Sequence, residues 1–454
     1  MGLWKHQERG VQLIDREPGA MLAFDMGTGK SRTVIHWINQ RQPRRTLIVA
    51  PKSVVPVWPR EFAKVDSKVQ VVELSKGTTK DKAKRIRTEI DTQNGKPLAV
   101  VINYDSIWRP HLKDLIRHTP WDLIVADESH KIKSHNSRVS RFMGLLAAQH
   151  GRRVCLTGTP MPHSPLDVFG QYRFLRPDIF GTNYTNFRAR YCQSTTIDLP
   201  TGGRFEKIIG WVNQDDLHEK FYSIAERVAK RDVLDLPPVM HTTVPVRLES
   251  KTWRAYKELE NGFISYLASG EVVTASNILA KMIRLQQITS GFAVTEDGAT
   301  VQIDTSKQEA LEDILDGTSA PVAVFCRFHQ SLDQVKHVAR SLGRPCVELS
   351  GRLNEVGGYW NAEPGAVAAI QIQAGGVGID LTECADVVYW DQTWSLGEYD
   401  QSLARVDRPG QRRNVTYYHL IAEGTIDEGI KQALDKRADL IESILKRRAI
   451  EWMN

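Results

Sequence analysis

The chain has 454 residues, 41% hydrophobic and 25% charged, with a formal net charge of +6. That length exceeds one small core and predicts roughly two or three domains, and the composition excludes a low-complexity, collagen-like or disordered chain. No apolar run reaches the roughly 18–20 residues that span a bilayer, and the start, Met1 to Gln7, lacks the basic, apolar and small-residue regions of a signal peptide.

The five cysteines are scattered without a C-x-x-C pair. This argues for a reducing compartment and against a zinc site or disulfide framework. A cytoplasmic location is the expectation, with no membrane partner. The mild positive excess suits a polyanionic partner, although many soluble enzymes share it. Motifs must decide.

The first informative segment is Leu22-Ala23-Phe24, a strand end that runs into Asp25-Met26-Gly27-Thr28-Gly29-Lys30-Ser31. Helical residues follow at Val34, Ile35 and Ile38. A strand, a Gly-rich turn and a helix is the context of a phosphate loop. Gly27 and Gly29 let the backbone N–H groups approach phosphates, and the helix N-terminus adds partial positive charge. Lys30 is expected on the β- and γ-phosphates and Ser31 on Mg²⁺. One departure stands out: the full G-x-x-x-x-G-K-[ST] pattern wants glycine where this chain has Phe24. The plainer reading is a chance glycine turn beside a surface lysine.

Thr46 to Ala50, Leu98 to Ile102, Asp122 to Ala126 and Val154 to Thr157 are compact apolar runs. Such runs predict strands buried on both faces of a parallel sheet, with ligands at their carboxyl ends. The third run ends in Asp127-Glu128. Two adjacent acids there are costly without a cation. Asp127 suits Mg²⁺ and Glu128 suits the general base that activates water; an acidic helix start is the bland alternative.

From about Pro165 to Ser306 the pattern is mostly helical, with a turn at Thr201-Gly202-Gly203 and a break at Pro237-Pro238. The last third returns to strand runs at 321–326, 366–372, 387–390 and 415–420. An amphipathic helix is predicted over Ser331 to Leu342. The expected class is α/β: two parallel-sheet lobes with a mainly helical middle section at and around their junction. The boundaries read as lobe one over 1–164, a helical protrusion and linker over 165–240, the start of lobe two with a helical insertion over 241–306, and lobe two with a C-terminal helix over 307–454.

In this order the segments resemble the superfamily II helicases, and within them the Swi/Snf-like DNA translocases. The likeness covers nearly the whole chain. Leu3 to Val11 resembles the adenine-reading Q motif, and Ala23 to Ser31 motif I, which in this family lacks the early glycine. Leu47 to Ser53, followed by Trp58 and Glu61, resembles motif Ia; Ile102-Asn103-Tyr104 resembles Ib, and Leu156 to Pro160 resembles III. Val324 to Phe328, Gly375 to Thr382 with Asp391 to Trp394 after it, and Gln401 to Gln411 resemble motifs IV, V and VI. Ser164 to Leu175 and Arg227 to Pro237 resemble the segments that follow motif III and join the lobes. Ser129 and Pro409 replace residues more usual at their positions.

The resemblance implies RecA-like lobes, ATP and Mg²⁺ as cofactors, and double-stranded DNA as the partner of a monomeric motor. Replication or recombination proteins are candidate further partners. Gln7 would read the adenine; Met26, Gly27, Thr28, Gly29, Lys30, Ser31, Asp127, Gly378, Asp380 and Gln401 would line the nucleotide pocket. Arg405 and Arg408 would reach the γ-phosphate from lobe two, beside Lys30 and Glu128 as the other catalytic groups. Two arginines three residues apart also fit a solvated helix face. Pro51, Lys52, Ser53, Asn103, Tyr104, Arg327 and Trp394 would touch nucleic acid; core or hinge packing is the alternative for Trp394 and for Trp58, and for Trp58 it weighs as much. The expected function is ATP hydrolysis coupled to translocation on duplex DNA, in a motor that resembles a bare one and so suits a bacterial cell or a phage-infected host. A strand-separating DNA or RNA helicase is the alternative, and a nucleotide-gated scaffold is a third.

Overall fold

The computed structural model describes residues 2–148, 151–198, 204–268, 275–295, 297–355, 365–373 and 379–446. The expected turn at Thr201 to Gly203, the segment Gly375 to Gly378 and the basic pair Arg447-Arg448 lie outside the described residues.

Strands β1 (Gly19–Phe24), β2 (Arg45–Ala50), β3 (Gln70–Leu74), β4 (Leu98–Asn103), β5 (Leu123–Asp127) and β6 (Arg152–Leu156) form the first sheet. A hairpin of β7 (Cys192–Asp198) and β8 (Arg204–Trp211) stands apart, and β9 (Ala225–Val228) then joins the sheet beside β1. The order is β3-β4-β2-β5-β6-β1-β9, and each neighbouring pair is parallel. β1 and β4 are buried along their full length, as continuous apolar runs in a two-sided parallel sheet should be.

The second sheet uses β10 (Val239–Val246), β13 (Val322–Cys326), β14 (Cys346–Leu349), β15 (Val367–Gln371), β16 (Asp386–Tyr389) and β17 (Val415–Ala422). β11 (Phe292–Val294) and β12 (Thr300–Gln302) pair antiparallel outside it. Its order is β10-β17-β16-β13-β15-β14, again parallel throughout. The helix His329–Ser341 buries Leu332, Val335, Val338 and Ala339 against it, the stripe that the sequence predicts.

The middle section departs from its mainly helical pattern beyond the β7–β8 and β11–β12 pairs. It supplies an edge strand to each sheet, β9 to the first and β10 to the second. Both are short or exposed and mixed in polarity, so they carry none of the apolar continuity that marks an inner strand. Pro237-Pro238 falls between the helix Lys230–Val233 and β10, where the chain passes from one lobe to the other. Because both sheets are parallel, the loops after β1, β2, β4, β5 and β6 all leave one edge. That edge faces the second lobe across a cleft.

Candidate nucleotide site and track loops

The phosphate loop leaves β1 at Phe24, whose ring is fully buried and meets His6 edge-on at 5.3 Å. The missing glycine is thereby explained, since this position anchors the loop to the core. Gly27 and Gly29 hold φ of 85° and 89°, in the left-handed region that favours glycine. A Cβ on Gly29 would come within 2.2 Å of Gln7 Nε2. Lys30 begins the helix Lys30–Arg41 and folds back, its ammonium donating to the carbonyls of Phe24 (2.9 Å) and Asp25 (3.3 Å). The loop is thus a cradle with a cation already at its mouth.

Gln7 is buried and donates from Nε2 to the Thr28 carbonyl at 3.2 Å, alongside His6 at 2.8 Å. Its Oε1 accepts the Trp4 N–H at 3.1 Å. Its amide therefore braces the phosphate loop. Thr28 turns its hydroxyl to the Asp25 carbonyl at 2.7 Å and is itself fully buried, so its side chain, like its carbonyl, holds the loop in shape.

Asp127 ends β5 and Glu128 follows with φ 50°, a left-handed non-glycine backbone. Strain of that kind persists where surroundings enforce it, typically at functional positions. Burial and the neighbouring Glu128 push the Asp127 carboxyl upward, against the pull of the Trp58 indole and Lys30. Burial would raise Glu128 too, but the hydrogen bond and charge of His130, with Lys30 and Arg405, hold it below the usual carboxylate range. His130 Nδ1 lies 3.3 Å from Glu128 Oε2 and 3.5 Å from the Thr157 hydroxyl after β6.

The second lobe closes the site. Arg405, on the helix Leu396–Val406, is drawn down to about 10 by burial and by Arg408, with Glu128 acting the other way. A Cβ on Gly27 would meet Pro409 at 3.1 Å and Arg408 Cβ at 4.0 Å, so this arginine loop rests on the phosphate loop. Between the lobes lies a cavity of about 290 Å³ whose lining includes Asp25, Met26, Glu128, Gly158, Gln401 and Asp407.

These residues fit Mg²⁺ and a nucleoside triphosphate. Two adjacent buried carboxylates ask for positive charge, and a carboxylate with a hydroxyl at Ser31 is the hard-oxygen donor set that Mg²⁺ takes. A glycine cradle at a helix N-terminus with a lysine fits the phosphates.

The remaining expected residues divide. Asp380 is exposed and caps its own turn, its Oδ1 accepting from the Thr382 N–H (3.0 Å) and hydroxyl (2.8 Å), and it does not line the cavity. Gly378 lies outside the described residues. Lys52 and Ser53 are exposed after β2, with Pro51 half-buried. Asn103 and Tyr104 require correction as surface contacts, because both side chains are buried. Asn103 accepts from the buried Lys82 at 2.9 Å, and the Tyr104 hydroxyl donates to the Asp127 carbonyl at 2.7 Å. Arg327 is half-buried, its N–H on Asp391 (2.8 Å) and its guanidinium over Phe328. Trp394 is half-buried, donates to Gln286 at 3.3 Å and packs on the large core of lobe one.

Sequence reasoning passed over Trp58 as a ligand to Asp127, and over Lys82, Lys230 and Asp400. Lys82 could have been flagged as a basic residue on the apolar face of an amphipathic helix, Thr79–Asp91. Asp400, in the cavity wall, is pushed up to about 7 by burial and by Asp25, against Lys230 and Arg227.

Comparison with known proteins decides the lineage: the model of the SNF2-related domain matches residues 6–291. The chain belongs to the SNF2-related family. It is similar to the "DNA annealing helicase and endonuclease ZRANB3" of Bos taurus, at 26% identity over 97% of this chain and 40% of that protein. It is also similar to the "Uncharacterized ATP-dependent helicase MG018" of Mycoplasma genitalium, at 26% identity over 98% of this chain and 42% of that one. The SNF2-related chain thus spans about two fifths of the length of these relatives. Among solved structures, the "Sulfolobus solfataricus SWI2/SNF2 ATPase core in complex with dsDNA" aligns with 98% of this chain and 93% of its own, at 22% identity and a TM-score of 0.44. Among the described residues, no helix is long and apolar enough to cross a membrane.

Proposed function

We propose that this SNF2-related chain hydrolyses ATP with Mg²⁺ and uses the resulting opening and closing of its lobes to move along double-stranded DNA. The observation that carries the reading is that Arg408 and Pro409 of lobe two pack on Gly27 of the phosphate loop, beside a cavity lined by Glu128 and Gln401. An arginine delivered by the second lobe makes catalysis depend on closure.

Each residue then has a task. Lys30 and the loop N–H groups neutralise the β/γ oxygens, and Ser31 with Asp127 would hold Mg²⁺, which when bound supplies Lewis-acid charge to those oxygens. Glu128, kept ionised by His130, takes the proton of the attacking water. Arg405 and Arg408 stabilise charge that develops on the transferred phosphoryl group. The family and the printed names of its relatives support a nucleic-acid motor, and the exposed Lys52-Ser53 loop beside the cleft supports backbone contacts that ignore sequence.

The test is steady-state ATPase activity without nucleic acid and with single-stranded DNA, duplex DNA or RNA, together with triplex displacement. Stimulation by duplex DNA and displacement of a third strand without duplex separation is the expected result. Stimulation by RNA alone would sink the reading. A second reading, strand separation, is favoured by the β7–β8 hairpin that stands outside both sheets, and unwinding of a forked duplex would select it.

A further inference from the structure

Trp58 stands at the start of the helix Val57–Ala63, one turn after the Pro51–Ser53 loop, and is 1% exposed. Its indole N–H donates to Asp127 Oδ2 at 2.9 Å. Tyr104, the first residue after β4, donates its hydroxyl to the Asp127 carbonyl at 2.7 Å. Two segments that follow the carboxyl ends of β2 and β4 therefore terminate on one residue, the acid assigned to Mg²⁺. The other Asp127 oxygen accepts the Glu128 N–H at 3.0 Å.

Packing alone does not account for this arrangement. A buried indole N–H needs an acceptor, and a neutral backbone carbonyl would meet that need. A carboxylate acceptor makes the bond charge-assisted and directional. Donors to a metal-binding carboxylate set its orientation and its affinity for the ion. Trp58 and the exposed Lys52 lie on the same short segment after β2, joined by the turn at 52–56 that leads into the helix. The Lys82 ammonium adds a second strut, since it fixes Asn103 (2.9 Å) and Ser106 (3.2 Å) on the neighbouring loop.

We propose that Trp58 is a positioning residue that couples the track to the metal site: contact of the Pro51–Ser53 loop with a nucleic-acid backbone sets, through the indole, the orientation of the Asp127 carboxylate. The coupling rests on the reading of the site as one for Mg²⁺ and ATP on a DNA motor. It assigns to one hydrogen bond the physical link that a contiguous coupling route requires.

Mn²⁺ binding by the full chain with ADP present, followed by electron paramagnetic resonance with and without a duplex oligonucleotide, tests it. In wild type, duplex DNA tightens Mn²⁺ binding. In Trp58→Phe the Mn²⁺ Kd rises about 10-fold, the duplex no longer changes it, and metal-free ADP binds as before. An unchanged Mn²⁺ Kd with the DNA response intact overturns the proposal, as does a wild type indifferent to the duplex. Should Trp58→Phe lose its cooperative unfolding transition, Tyr104→Phe carries the test, because it deletes a single hydroxyl from the same junction. A weakened DNA response is expected there, and a full response overturns the coupling. A wild type that binds no Mn²⁺ with ADP removes the ATP-site reading itself, an outcome distinct from equal binding by wild type and variant.

Discussion

The Lys230 ammonium lies 2.9 Å from the Asp407 carboxylate of lobe two, while the Lys230 backbone N–H donates to Asp25 of the phosphate loop, also at 2.9 Å. One residue of the interlobe segment thus ties the nucleotide loop to the arginine segment. Both side chains are half-buried or less exposed, so solvent screens the pair only in part. A hydrogen bond to a charged group in such a place contributes about 1.5 kcal/mol or more, which is roughly tenfold in rate if it acts only when the lobes are closed. Lys230→Met is therefore expected to lower kcat/KM for ATP by about tenfold while the chain stays folded. Kinetics within twofold of wild type would show that closure does not use this contact.

Lobe two carries its own buried ion pair, Lys307 to Asp427 at 2.9 Å, with side chains 2% and 1% exposed. Lys307 also donates to the Trp390 carbonyl at 2.8 Å, and Asp427 accepts from Thr289 at 2.9 Å. Removing one partner strands the other charge in the core. Lys307→Met is expected to destabilise lobe two by about 3–5 kcal/mol, read as a lower urea midpoint. Lys307→Met paired with Asp427→Leu should recover most of that loss, because no charge is then left unpaired.

These two contacts also show where sequence reading stops. The ends of β1, β2, β4, β5 and β6 fall within a residue or two of the predicted runs, because an inner parallel strand has to be apolar throughout. Glycine at 27 and 29 announces left-handed backbone, and the acids after β5 announce a cation. By contrast, the direction of an indole N–H has no period. Trp58 reads as core and is core, yet its one polar atom ends on Asp127. The likeness of Ile102 to Tyr104 to motif Ib implies nucleic-acid contact at Asn103 and Tyr104; Lys82 and Asp127 draw both inward instead. β9 and β10 escaped because an edge strand need be apolar on neither face.

His419 gives lobe two a defined response to acid. It is fully buried on β17, within 3.3 Å of the Gln392 amide oxygen, the Tyr399 hydroxyl and His241 Nδ1. Burial, then Lys431 and His241, lower it from 6.5 to about 3. Between those values the unfolded chain binds a proton that the folded chain refuses, so stability falls as pH falls through that window. The loss is about 1.4 kcal/mol per pH unit, or roughly 2 kcal/mol at pH 5 relative to pH 7. His419→Gln, which keeps a donor and an acceptor at the site, should flatten this slope in urea titrations at pH 7, 6 and 5. Parallel slopes in wild type and variant would exclude His419 as the source.

Glu128 is the sharpest single test of the chemistry. Its left-handed backbone (φ 50°) aims the carboxylate at the interlobe cavity, and His130 at 3.3 Å keeps it ionised. Glu128→Gln preserves the shape and the bond to His130 but cannot accept a proton from water. Turnover should fall by about 10²–10⁴-fold. Nucleotide binding should hold or tighten, because one negative charge has left the neighbourhood of the triphosphate. Single-turnover hydrolysis and binding of a fluorescent ATP analogue separate the two effects. Arg405→Ala supplies the complementary case, since it withdraws charge from lobe two while leaving the base in place, and it too should lose turnover before it loses binding. Near wild-type turnover in Glu128→Gln would move the general base elsewhere in the cavity, whose lining also holds the Asp400 carboxyl.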